Sequence, residues 1–233
     1  MIFVAEFVIP PVDVVGLPVS GSSGQFPVAQ IYCVGRNYAD HAIEMGHNPD
    51  REAPFFFLKP GYALLSGGGA LSYPSMTQDL HHEVELVVAL ARGGENITVH
   101  EAQDLIYGFA VGIDLTRRDL QAQAKKLGRP WDAGKTFLHA APCSELRPGS
   151  SLQSIHQAKI KLSVNGEIRQ SGNLDQMIWK VPEIIARLSE CFPLRGGDLI
   201  FTGTPAGVGP VQTGDELHAE IEGIGSLRVS VKQ

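Results

Sequence analysis

The sequence predicts a mixed α+β fold with a largely non-parallel sheet. Three observations predict it. Strand-like segments outnumber helical ones, and the helical ones fall in no regular βαβ rhythm. An Asn165-Gly166 dipeptide sits between alternating apolar and polar residues, a strong hairpin signal. No internal repeat or low-complexity tract is present.

The elements follow in order. Residues 1–30 read as a short β-containing lead, in which GLPVSGSSGQFP forms a loop or weak boundary. Residues 31–233 read as one unit. IYCVG (31–35) is a short strand, and RNYADHAIEMG (36–46) has helical character and stops at a glycine. PFFFLKP (54–60) is an aromatic strand pinned by prolines. VELVVAL (84–90) is a buried strand. HEAQDLIYG (100–108) is helix-like, AVGIDLT (110–116) strand-like, and RRDLQAQAKKLG (117–128) an amphipathic helix with a terminal glycine. After the 159–170 hairpin, NLDQMIWKV and PEIIARLSE read as helical pieces split by Pro182. DLIFTGTP (198–205) is a strand entering a Gly-rich loop. DELHAEIEG and SLRVSVK close the chain as a two-stranded unit.

Composition bounds the function. A chain of 233 residues with 43% hydrophobic and 19% charged residues can bury a good core. A net charge of −6 lacks the basic footprint that nucleic-acid binding needs. No apolar stretch approaches the ~20 residues of a membrane span. The apolar start MIFVAEFVIPPVDVV has no basic n-region and carries Glu6, Asp13 and two prolines, so it does not read as a signal peptide. Cys33, Cys143 and Cys191 have no metal or redox spacing and read as reduced thiols in a cytoplasmic protein.

The chemistry begins at DLHHEVELVVAL (79–90). On a strand, Glu83 and Glu85 project from one face. Two adjacent carboxylates repel, so one protonates or a cation sits between them. Oxygen-only ligation suits Mg²⁺, Mn²⁺ or Ca²⁺, and Asp114, at the end of another apolar run, is the candidate third ligand. The same spacing also allows one glutamate at a strand edge and the other paired with an arginine. His81 and His82 read as loop histidines. His41 and Glu44, three apart on a helical turn, can touch, which suits a general base or an ordinary surface pair. Lys59, Lys135, Arg36 and Arg118 are candidate grips for an anionic substrate, or solvated cations. FTGTPAGVGP lacks the order of a phosphate loop. It reads as a turn offering backbone N–H groups and the Thr204 hydroxyl to a substrate carboxylate.

Taken together, IYCVGRNYADHAIEM, FFFLKP, HHEVELVVAL, GFAVGIDLTRRDLQ, GRPWDAGKTF, VNGEIRQ and GDLIFTGTPAGVGP resemble the fumarylacetoacetate hydrolase family from Ile31 to the C-terminus. GHNPDREAPFFF and LTRRDLQAQAKKLGRPWDAGK are similar to its fumarylpyruvate hydrolase subgroup in particular. The resemblance implies a mixed β-roll of the type of that family's C-terminal domain, and a homodimer. It implies Mg²⁺ or Mn²⁺, with Ca²⁺ as a substitute, on Glu83, Glu85 and Asp114. It implies a His41–Glu44 dyad on a lid, and Lys135 in the site. It also implies Arg36, Lys59, Arg118, Gln121 and Thr204 near the substrate. The implied activity is hydrolysis of a C–C bond in a 2,4-diketo acid, 3-fumarylpyruvate giving fumarate and pyruvate in gentisate-type aromatic catabolism. Oxaloacetate decarboxylation and general acylpyruvate hydrolysis are alternatives on the same groups. A non-catalytic cation-binding protein would have no need of His41, Glu44 or Lys135.

Overall fold

The computed structural model describes residues 7–39, 52–149, 153 and 155–233. Its organising element is the strand Val84–Leu90, in which every residue is buried. A strand presents alternate residues to opposite faces, and here both faces are covered. Val84, Leu86, Val88 and Leu90 point into the larger core, with Val111, Ile113, Ile160, Ile184 and Leu188. Val87 and Ala89 point into a smaller core, with Leu17, Phe26, Ile31, Cys33, Ala110 and Phe201. That explains why residues 86–90 read as an uninterrupted apolar run rather than an alternating one.

Val84–Leu90 pairs antiparallel with Ile106–Ile113 on one side and Leu199–Phe201 on the other. Beyond Leu199–Phe201 come Ile31–Gly35, parallel, and then Phe55–Lys59, antiparallel. Beyond Ile106–Ile113 come Ala141–Cys143 and Leu64–Ser66, a parallel pair. A second sheet runs Glu167–Asn173, Lys159–Val164, Glu216–Ile221, Gly225–Lys232 and Gly69–Ser72. A small sheet joins Thr116–Arg117, Leu80–His82 and Gly209–Val211. Among the described residues only four α-helices occur. The α+β class and the mixed β-roll expected from the resemblance are what the structure shows. No helix among the described residues is long and apolar enough to cross a membrane.

The hairpin forms where the sequence places it. Lys159–Val164 and Glu167–Asn173 pair around Asn165 (φ 52°) and Gly166 (φ 83°), the two positive φ angles of a twist-matched turn. The helix Arg118–Leu127 ends on Gly128 in the left-handed conformation (φ 62°). Two helical expectations need correction. HEAQDLIYG gives only one α-turn, Val99–Ala102, and a 3₁₀ turn, after which Ile106 begins a strand. NLDQMIWKV supplies a strand end and a 3₁₀ turn, so Pro182 does not split a helix. It sits in the first turn of Val181–Cys191, where a missing N–H costs nothing.

Candidate active site

The site lies where the smaller core meets solvent. Glu85 has the strand parity of Val87 and Ala89, and Asp114 that of Ala110 and Gly112, so their carboxylates head the smaller core. Glu83 falls between the strands Leu80–His82 and Val84–Leu90. Its carbonyl accepts the Asp114 backbone N–H at 2.8 Å, which sets Asp114 across from the two glutamates. All three are buried, and one oxygen from each lies within 4.8 Å of the others. The alternative of a glutamate facing solvent does not hold for either residue.

Three cations answer two of the three carboxylates, Glu83 and Asp114. Lys135 Nζ bridges Glu83 Oε2 at 2.9 Å and Asp114 Oδ2 at 2.7 Å, and also donates to Thr116 Oγ1 at 2.7 Å. Burial works against its charge, but Asp114 and Glu83 outweigh that and raise its pKa. Arg118 donates from Nη2 to Glu83 Oε1, and from Nη1 to Gln121 Oε1 at 2.6 Å. Lys59 Nζ lies 2.9 Å from Asp114 Oδ1 and donates to the carbonyls of Leu115, Lys135 and Ala140.

Glu85 is different. Among the described residues it has no ion pair, and its hydrogen bond comes from the Gly203 backbone N–H at 2.7 Å. Burial first, then the Asp114 and Glu83 carboxylates, push its carboxyl well above the ordinary range. A buried oxygen-only set of three carboxylates, one of them without a counter-charge, fits a hard divalent cation. It fits Mg²⁺ or Mn²⁺ as the sequence suggests.

A cavity of about 40 Å³ opens over these groups. Arg118, Gln121 and Lys125, spaced i, i+3 and i+7, bring one face of the helix Arg118–Leu127 to it. Gln121 lines the cavity with its oxygen accepting from Arg118. Phe55, Phe57 and Trp131 form an aromatic wall, with Phe55 edge-on to Trp131 at 5.1 Å. Arg36 lies 5.4 Å over the Phe55 ring. The cavity lining sets three carboxylates against four cations, Arg36, Arg118, Lys125 and Lys135, which leaves the cavity net positive. Burial, then the Arg36 and Arg118 guanidiniums, lower the Lys125 ammonium.

The structure thus brings Glu83, Glu85, Asp114, Lys135, Arg36, Arg118, Gln121 and Thr204 to one cavity. Lys59 does not line it. It is fully buried behind Asp114, so its position does not match the expected substrate contact. His41 and Glu44 lie outside the described residues. His81 and His82 are on a strand rather than in a loop. His81 Nε2 is 2.8 Å from Asp79, and His82 Nδ1 2.9 Å from Gln170. The FTGTP turn also differs from expectation, because the Gly203 N–H serves Glu85 rather than a substrate carboxylate.

Sequence reasoning missed the aromatic wall, Lys125, Asn37 and Gln170. Asn37 is fully buried between Trp179 and Thr202, its amide bonded to Thr202 O at 2.8 Å and to Trp179 O at 3.0 Å. Its Oδ1 accepts the Trp179 N–H at 2.7 Å. Gly203 has φ 97°, and a Cβ there would lie 2.7 Å from Asn37 Cβ, which these bonds hold fast. Gly203→Ala should therefore cost about 1–3 kcal/mol and loosen the N–H that steadies Glu85. Thermal denaturation reads the first effect and Mn²⁺ titration the second; wild-type values in both would contradict this account.

Comparison with known proteins agrees with the geometry. The profile of the fumarylacetoacetate (FAA) hydrolase C-terminal family matches residues 30–232. A fumarylpyruvate hydrolase of Ralstonia sp is 44% identical over 189 residues, covering 80% of this chain and 98% of that protein. A mitochondrial oxaloacetate tautomerase of Mus musculus is 44% identical over 203 residues, covering 87% and 91%. The crystal structure of fumarylpyruvate hydrolase from Pseudomonas aeruginosa, in complex with Mn²⁺ and pyruvate, superposes with a TM-score of 0.93. It is 46% identical and covers 97% of this chain and 99% of that one.

Proposed function

This chain belongs to the fumarylacetoacetate hydrolase family, and from that premise we propose that it hydrolyses the C–C bond of a 2,4-diketo acid. The substrate is 3-fumarylpyruvate, the products are fumarate and pyruvate, and the setting is cytoplasmic aromatic catabolism by a homodimer. The observation that carries the reading is the net positive cavity over three buried carboxylates. It suits a small anionic substrate beside a divalent cation. The Pseudomonas relative, described with Mn²⁺ and pyruvate, supports it.

Glu83, Glu85 and Asp114 hold the cation, which when bound supplies Lewis acidity toward the keto-acid oxygens. Arg36, Arg118, Gln121 and Thr204 grip and orient the anion. His41, paired with Glu44, takes a proton from water, which attacks the C4 carbonyl. The C3–C4 bond breaks and its electrons pass into a pyruvate enolate. The Lys135 ammonium, 2.7 Å from Asp114, offers positive charge where the enolate oxygen develops. Protonation at C3 releases pyruvate beside fumarate.

A second reading rests on the oxaloacetate tautomerase relatives, whose identity to this chain is equally high. One assay separates the two. Fumarylpyruvate, acetylpyruvate and oxaloacetate are compared with EDTA and with added Mg²⁺ or Mn²⁺. The proposal expects metal-dependent loss of fumarylpyruvate with stoichiometric pyruvate and fumarate. Preference for oxaloacetate, read as enol–keto interconversion or CO₂ release, would replace it.

A further inference from the structure

Gln170 lies behind the cavity wall and touches both sides of it. In the strand Glu167–Asn173 it is the one buried residue, with no exposed surface. Its carboxamide makes four hydrogen bonds. Oε1 accepts from His82 Nδ1 at 2.9 Å and from the Val84 backbone N–H at 3.0 Å. Nε2 donates to Thr204 Oγ1 at 2.8 Å and to the Pro205 carbonyl at 2.9 Å. A backbone N–H can only donate and a carbonyl can only accept, so the two ends of the amide cannot be exchanged.

Val84 sits between the two glutamates, and Thr204 lines the cavity. Because Nε2 donates to Thr204 Oγ1, the hydroxyl proton must point away from Gln170. Thr204 is 3% exposed, and no hydrogen bond donated by its hydroxyl occurs among the described residues. The open direction is the cavity. We propose that Gln170 is a positioning residue that turns the Thr204 hydroxyl proton into the cavity, where it donates to an anionic oxygen of the bound keto acid. The same amide ties the Glu83–Glu85 segment to the Thr204 loop, so the donor and the carboxylates are held in one register. This rests on the function proposed above. It further selects a ligand that presents a carboxylate or enolate oxygen at that wall, not a hydroxyl or amine donor.

The test is a double-mutant cycle on Mn²⁺-saturated protein. Gln170→Glu keeps the two accepting bonds but brings a carboxylate to Thr204, whose proton then turns away from the cavity. The dissociation constant for pyruvate, read by calorimetry, should rise ~10–100-fold, the worth of a hydrogen bond to a charged group. KM should rise with it, by more than kcat falls. Thr204→Val should give the same loss, Thr204→Ser should stay near wild type, and the double variant should be no worse than either single one. Where Gln170→Glu does not fold, Gln170→Met fills the same volume and frees the hydroxyl to rotate. Thr204→Val should then cost less in that background than in wild type, and an undiminished cost overturns the proposal. Multiplying effects of Gln170→Glu and Thr204→Val overturn it too. So does a Gln170→Glu protein that is merely less stable, with pyruvate affinity unchanged. A wild type that binds no pyruvate and turns over no keto acid brings down the functional reading first, and this inference with it.

Discussion

Glu85→Gln should make the metal-free protein more stable at neutral pH and the metal-loaded protein less so. Glu85 is 2% exposed and has one backbone donor. Burial and two neighbouring carboxylates raise its pKa above the ordinary 4.5. The folded state therefore holds this proton at pH values where the unfolded chain has released it. Stability contributed by the neutral carboxyl is lost as pH rises from the unfolded pKa through the folded one. Glutamine keeps the shape and the Gly203 bond but has no charge to bury. The EDTA-treated variant should thus match wild type near pH 4 and exceed it near pH 8. Added Mn²⁺ should reverse the order, because wild type gains binding energy and the variant does not. The loss in metal affinity should exceed the ~10–100-fold typical of an outer partner, and turnover should fall to background. Thermal unfolding with and without Mn²⁺ at the two pH values checks all of this. Wild-type Mn²⁺ affinity in the variant would remove Glu85 from the ligand set.

Lys59→Met should cost about 3–5 kcal/mol of stability, the usual penalty for breaking a buried pair from one side. Lys59 has no exposed surface, and its ammonium faces Asp114 and the carbonyls of Leu115, Lys135 and Ala140. Methionine fills the stem's volume but leaves the Asp114 carboxylate without this counter-charge and those carbonyls without their donor. Denaturant unfolding measures the loss, and a change below ~1 kcal/mol would contradict the role drawn here. Metal affinity should also fall, since Lys59 orients the Asp114 carboxylate from behind. A substrate-binding lysine would instead raise KM and leave stability nearly untouched.

The strands at 31–35, 84–90 and 199–201 were legible because apolar runs of that length between turn residues have few other uses. The 165–166 hairpin was legible because only residues tolerant of positive φ make that turn. The metal triad was half legible. The spacing of Glu83 and Glu85 put two carboxylates on one face, while Asp114 was a candidate only by its place at the end of a second apolar run, and the resemblance joined it to them. NLDQMIWKV misled because its apolar spacing suits a helix, whereas the chain there spends Leu174 and Met177 on the larger core before any α-helix begins.

What the sequence determined by itself is the family, the α+β class and the identity of the carboxylates, since these follow from local pattern and from motifs read in order. What only the tertiary structure decided is which cations serve them. Lys59 follows an apolar run and Lys135 a glycine, and the sequence offers both alike as grips for an anionic substrate. One ends behind Asp114 and the other over the cavity, because the strand Phe55–Lys59 and the turn Asp132–Lys135 reach the same aspartate from different sides. Gln170 was hidden for the same reason. Its four partners lie 34 to 88 residues away in the chain, and a hydrogen bond across that separation leaves no period or spacing for a sequence to show.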